Sequence, residues 1–398
     1  MRIENLISLE KEKQQMSRKV IKGMLWLFIL LIAIALIGCA PSKAKGKIKI
    51  GVIGPQTGAS AETGQAVSKG AEIAANMINE KGGINGREIE LIIADGKNDP
   101  AESLNAANKL MLQDEVVAIV GCCGSSATLA VMPAVESNKV PLVVETASAA
   151  KITEAGNPFV FRIAATTRQE AQAVEEILPE IGFNKVALLG VNTDWGRGAE
   201  EEFTEVVERQ GGEIVCSEYF EGNAIDFYSQ LTTIKNSGAD SIILTADSSL
   251  IILILRQMKD LGVDLPVLTS GGSDFTDGII ELVGADIAEG LRSIAFFNPA
   301  IPEAAASQEL HKYFVDKWQE KDLLWRKMPE GTKGFDAVCV LAEAMKGISG
   351  DINGESLQKA LQGVEYAGIT GHLKFDEKGQ AVRSSFLVRV KDGKTVLD

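Results

Sequence analysis

The segment Gly121-Cys122-Cys123-Gly124-Ser125-Ser126 follows an apolar run at residues 116–120 and opens a helical stretch at 126–138. A helix that starts there leaves its first backbone N–H groups unpaired and turns the positive end of its dipole outward, so the chemistry on offer is binding of an anion such as a carboxylate. Ser125 adds a hydroxyl, which serves either as a ligand contact or as the cap of its own helix. Cys122 and Cys123 lack the C-x-x-C spacing of redox and zinc sites and read as small, partly buried side chains at a strand end. Catalysis has little else to draw on. The chain holds two histidines, His311 and His372, far apart in sequence. The glycine-rich fingerprints of phosphate loops, dinucleotide folds and nucleophile elbows do not occur. No metal, cofactor or catalytic residue is therefore expected, and the chemistry is that of a binder.

The elements that must position this segment repeat in a regular rhythm. Apolar runs at 48–53, 90–94, 116–120 and 140–144 alternate with helical stretches at about 62–80, 101–113 and 126–138. The same alternation restarts after Arg162, with runs at 186–189, 213–215, 241–245 and 266–268 and helices near 168–181, 198–209, 226–236 and 249–261. Short β-branched runs between helices signal parallel sheets buried on both faces, so the fold class is α/β with two doubly wound lobes. Further helices at 303–319, 335–346 and 356–361 and strands at 373–375 and 386–390 return the chain to the earlier lobes. Asp99 is placed as an N-cap, with Pro100 opening its helix.

The N-terminus is processed separately. Arg18, Lys19 and Lys22 precede an uncharged apolar run at 24–37 and then Leu36-Ile37-Gly38-Cys39, which is signal-peptide architecture. LIGC looks like a bacterial lipobox, which implies a lipoprotein signal at 1–38, a diacylated Cys39 and a polar tether at 39–47. The formal charge of −14 excludes a phosphate-binding surface, so no nucleic acid is expected as a partner. Removing residues 1–38 makes the remainder more acidic still.

Three stretches, IGVIGPQTG at 50–58, GGINGREIELIIADGKNDP at 82–100 and FDEKG at 375–379, resemble the type I periplasmic binding fold. More narrowly, they look like the branched-chain (leucine/isoleucine/valine-type) amino acid binding proteins of ABC importers. The resemblance implies two lobes joined by three crossings, near 164–167, 296–299 and 372–374, with lobe 1 at 48–165 plus 298–372 and lobe 2 at 166–297 plus 373–398. It implies a ligand trapped between them. By this likeness Ser125, with the Gly124 and Ser125 backbone, meets the ligand α-carboxylate. Ser148 touches both carboxylate and ammonium, and the Thr146 carbonyl takes the ammonium. Asp274, in the turn after the strand at 266–268, is either the ammonium's negative partner or the N-cap of the next helix. Trp195 matches a tyrosine that closes over the ligand, and Cys123 lines the side-chain pocket. Two tyrosines of the family become Thr63 and Asp247 here, and the carboxylate at Asp247 changes which side chain or ammonium the pocket accepts.

The function implied is a lipid-anchored extracytoplasmic protein that captures an amino acid, branched-chain or similarly small, and delivers it to an ABC permease and its ATPase in the membrane. The alternative is an amino-acid or amide sensing receptor domain of the same fold. A hydrolase on this scaffold would need a nucleophile and base, and none can be named.

Overall fold

The computed structural model describes Met16 and residues 46–270, 276–299, 305–382 and 385–398. The signal segment other than Met16, Cys39 and Asp274 lie outside the described residues. Residues from Lys47 to Asp398 form one compact unit. Its first half runs β1 (Ile48–Gly54), α1 (Ala61–Glu80), β2 (Ile89–Asp95), α2 (Pro100–Leu112), β3 (Ala118–Val120), α3 (Ser125–Asn138), β4 (Leu142–Val144), α4 (Lys151–Glu154) and β5 (Val160–Arg162). These strands make a parallel sheet in the order β2-β1-β3-β4-β5. β1 to β2 and β1 to β3 are neighbours because each crossover helix lies on a face of the sheet. Two separate apolar clusters result, one with α1 and one with α2 and α3.

The chain then forms α5 (Thr167–Val174), β6 (Lys185–Val191), α6 (Asp194–Arg209), β7 (Glu213–Phe220), α7 (Tyr228–Asn236), β8 (Ser241–Thr245), α8 (Ser248–Leu261), β9 (Val267–Thr269), α9 (Thr276–Val283), α10 (Ala285–Ala288) and β10 (Arg292–Ala295). It returns through α11 (Gln308–Glu320), α12 (Met328–Lys346), α13 (Gly354–Gln362), β11 (Glu365–Gly368) and β12 (Gly371–Lys374). It ends in β13 (Phe386–Lys391) and β14 (Lys394–Leu397). The second sheet has the order β14-β13-β10-β9-β8-β6-β7, parallel from β7 to β10 and antiparallel where β13 and β14 are added.

Packing marks where the chain changes lobe. Ile163 belongs to the first core and Ala165 to the second, while Phe296 packs in the second and Phe297 in the first. The third change is displaced from the expected 372–374. β12 pairs only with β11 in a hairpin of its own, and Phe375 and Ala381 remain in the first core. The hairpin is held by the buried Asp336 carboxylate of α12, which accepts from the backbone N–H groups of Ile369 (3.1 Å) and Thr370 (2.9 Å) and from the Thr370 hydroxyl. The first lobe thus runs on to about Ala381, and β13 and β14 are what the C-terminus adds to the second. An apolar residue at 373 announced a strand, but not which partner it would find.

α12 also begins two turns before the expected residue 335. Its early turns, Met-Pro-Glu-Gly-Thr-Lys-Gly, press on α1 so closely that a Cβ at Gly334 would lie 2.0 Å from the Val67 carbonyl oxygen. Glycine here permits helix contact rather than ending the helix. Pro329 sits in the first turn, where its missing N–H costs nothing.

Candidate functional site

The loops at the carboxyl ends of β1, β3, β4, β6 and β8 face one another across a cleft between the two sheets. The cleft encloses a cavity of about 300 Å³. Its lining includes Thr63, Cys123, Gly124, Ser125, Thr146, Ser148, Trp195 and Asp247, so eight of the nine ligand-contact candidates are brought together, Asp274 being outside the described residues. The cleft rims touch. Ser126 Oγ donates to Asp194 Oδ2 (2.8 Å), Ser60 Oγ to Asp247 Oδ2 (3.4 Å) and Lys327 Nζ to Ser248 Oγ (2.9 Å).

At one end lie the hydroxyls. Gly124, with extended backbone, is the N-cap of α3, and Ser125 is the first helical residue, 3% exposed. This removes the capping alternative for Ser125. Its Oγ instead accepts from the Ala149 N–H at 3.2 Å, tying the start of α3 to the segment that carries Thr146 and Ser148. Arg162 fixes that segment from below. Fully buried at the end of β5, its guanidinium donates to the carbonyls of Ala149 (2.6 Å) and Ala147 (3.3 Å), to Thr153 Oγ1 (2.7 Å) and to Gln380 Oε1 (2.6 Å). Burial pushes Arg162 down to about 10, with Glu170 foremost among the carboxylates opposing the shift, so it stays charged at neutral pH.

Gln380 reaches Arg162 because the FDEKG stretch turns sharply against β5. Gly379, at φ 76°, accepts from the Arg162 N–H (2.7 Å) and approaches so closely that a Cβ would stand 2.2 Å from the Val160 carbonyl oxygen. The Ser148 carbonyl accepts from Thr167 N–H (2.9 Å), which brings the first turn of α5 beside it. One turn further on, the buried carboxylate of Glu170 lines the same cavity.

The other end is ionic. Asp247 is the N-cap of α8 but makes no side-chain cap bond; its carboxylate turns toward Ser60. Burial and the nearby Glu330 push its pKa up, opposed by Lys327, Ser60 and Lys333. Glu330 and Lys333, from the early turns of α12, line the cavity at 5% and 8% exposure. Lys327 Nζ lies 4.0 Å from Glu330 Oε1 and 3.4 Å from Thr63 Oγ1. Beneath the floor, the Cys123 thiol donates to Glu145 Oε1 at 3.2 Å. Glu145 is fully buried, which raises its pKa. Burial and the Glu145 charge likewise hold both thiols, Cys122 and Cys123, in the protonated form, and all four described cysteines are free.

Three buried polar atoms of the lining have no hydrogen-bond partner: Thr146 Oγ1, Trp195 Nε1 and Glu330 Oε2. A buried polar atom without a partner costs about 1–3 kcal/mol, so the cavity is arranged for polar company. Trp195 stands in the first turn of α6, capped by Thr193, rather than on the loop expected before residue 198. Glu170, Glu330 and Lys333 were missed from the sequence. No His, Cys, Asp or Glu cluster among the described residues is fit to hold a metal.

Comparison with known proteins names this architecture. The sequence description of the family "Periplasmic binding protein" matches residues 47–395. The chain belongs to this family. It is similar to the leucine-, isoleucine-, valine-, threonine- and alanine-binding protein of Pseudomonas aeruginosa, at 28% identity covering 92% of this chain and 96% of that one. In structure it is similar to the leucine binding protein LivK of Thermotoga maritima, with TM-score 0.77, 28% identity and coverage of 88% and 97%. It is also similar to a solute binding protein of an ABC transporter from Rhodopseudomonas palustris in complex with 3,4-dihydroxybenzoic acid, with TM-score 0.79, 25% identity and coverage of 88% and 95%. This periplasmic binding protein is thus a solute-binding protein and not an enzyme, of the type I fold with parallel-sheet lobes. No helix among its described residues is long and apolar enough to cross a membrane.

Proposed function

We propose that this protein captures an α-amino acid in the cleft and delivers it to an ABC importer, held to the cell membrane by lipid on Cys39, in the periplasm or at the outer face of the cytoplasmic membrane. The observation that carries the reading is the pairing of an anion site with a carboxylate at the same end of the cavity. The start of α3 with Ser125 and Ser148 suits a ligand carboxylate, while Glu170, one turn from Thr167, supplies the negative charge that a buried ammonium requires. An aromatic carboxylate of the kind bound by the Rhodopseudomonas neighbour has no ammonium to pair with Glu170. Closure follows from the ligand bridging both lobes, with Trp195 covering it from the second.

A thermal-shift screen against the proteinogenic amino acids tests the reading. A specific ligand at 100 times its Kd adds about 2.7 kcal/mol of stability. Ser148→Ala is expected to weaken binding by roughly 1–3 kcal/mol with stability almost unchanged. Stabilisation by benzoates alone would overturn the amino acid assignment. For the anchor, mass spectrometry of the membrane-extracted chain is expected to show a diacylated Cys39 at the N-terminus; an unmodified N-terminus would remove it.

A further inference from the structure

The two ends of the cavity make different demands. The amino acid head accounts for the hydroxyl end, and what remains must hold the ligand's side chain. That remainder is built from Asp247, Glu330, Lys333, Thr63 and Ser60, with the Cys123 thiol at its floor. The apolar members of the described lining are Pro55, Ala59, Ala147, Val191 and Trp195, with no Leu, Ile, Met or Phe among them, and none comes from α12, which projects Glu330 and Lys333. A branched aliphatic group placed there would strip water from carboxylates and ammonium groups without returning a hydrogen bond, which is unfavourable. Glu330 Oε2, buried and without a partner, calls for a ligand N–H or O–H. Among the described lining residues of this end, two carboxylates, Asp247 and Glu330, stand against two ammonium groups, Lys333 and Lys97, the latter 3.0 Å from Glu102, while Lys327 approaches Glu330 from outside the lining, so an added side-chain charge would find no counter-charge of its own. Glu145, below the floor, is engaged by the Cys123 thiol.

Resting on the amino acid reading above, we propose that the physiological solute carries an uncharged, hydrogen-bond-donating side chain of the carboxamide class rather than a branched aliphatic one. The amide NH₂ would donate to Glu330, and the Lys333 ammonium would offer a donor to the amide oxygen.

Isothermal titration calorimetry on the full chain, cleared of co-purified solute by unfolding and refolding, tests this. Glutamine and asparagine are expected to bind at least about tenfold more tightly than leucine, isoleucine and valine, and more tightly than arginine, lysine and glutamate. Tightest binding by a branched-chain amino acid would overturn the side-chain assignment and leave the amino acid reading intact. Tightest binding by a charged amino acid would overturn the charge balance. Binding by none of them would remove both readings. Glu330→Leu is expected to lower amide affinity about tenfold and to narrow the preference over leucine. Should that variant fail to fold by circular dichroism, Glu330→Gln is expected to lower amide affinity several-fold while leucine is unaffected. Equal losses for amide and leucine would overturn the role of Glu330.

Discussion

The hydroxyl end and the ionic end of the cleft are built on different principles. The first is made of loops at strand ends, where the α3 start, the 146–148 segment and α5 are locked together by Arg162 and by backbone hydrogen bonds. The second is made of side chains projected from helices, chiefly α12 and the start of α8, with long ionic groups balancing one another. A backbone-built site reads a feature common to many ligands. A side-chain-built site can be changed by single substitutions without disturbing the fold, which is where selectivity within one scaffold can vary.

That contrast can be broken at its strongest point. Replacing Arg162 with Met strands the carbonyls of Ala147 and Ala149, and the expected loss is roughly 3–5 kcal/mol of stability in urea unfolding, with binding of every ligand weakened together. If the folded fraction of that variant bound normally, the hydroxyl end would not depend on its lock. A smaller effect is expected at the rim. Asp194→Ala removes the partner of Ser126 and should favour the open form, lowering affinity by about 0.5–1.5 kcal/mol with little change in selectivity. A change in selectivity instead would mean that the rim, and not the ionic end, discriminates among ligands.

The smallest effect lies beneath both ends, at Glu145. Its pKa is raised in the fold, mainly by burial, so its contribution to stability is full below the ordinary glutamate value of 4.5 and is lost as pH rises through the folded one. Glu145→Gln is therefore expected to raise Tm modestly at pH 7, with the gain vanishing as pH falls below about 4.5. A gain that persisted in acid would point to packing rather than charge.

The hydroxyl end was legible in the sequence because a strand, a short Gly/Ser turn and a helix start leave a local signature. The parallel α/β architecture showed in the same way, through apolar runs spaced by helices. Glu330 and Lys333 were not legible because Pro329, Gly331 and Gly334 give the early turns of α12 the composition of a loop. What makes that segment helical is contact with α1, a long-range cause that local pattern does not carry. Glu170 hid for a related reason. It sits in a helix that was expected, and the Thr167 to Ser148 bond, which no local pattern announces, brings the first turn of that helix beside the cavity. The third crossing was carried by the resemblance alone, near 372–374, and no local pattern shows that Phe375 and Ala381 still pack in the first core.

Gln380, which completes the hold on Arg162, lies 218 positions after it in the chain. Synthesis proceeds from the N-terminus, so β5 and the 146–148 segment emerge long before their fastening does. The hydroxyl end can be finished only when nearly the entire polypeptide has been made, and a nascent chain has no completed cleft in which to trap solute.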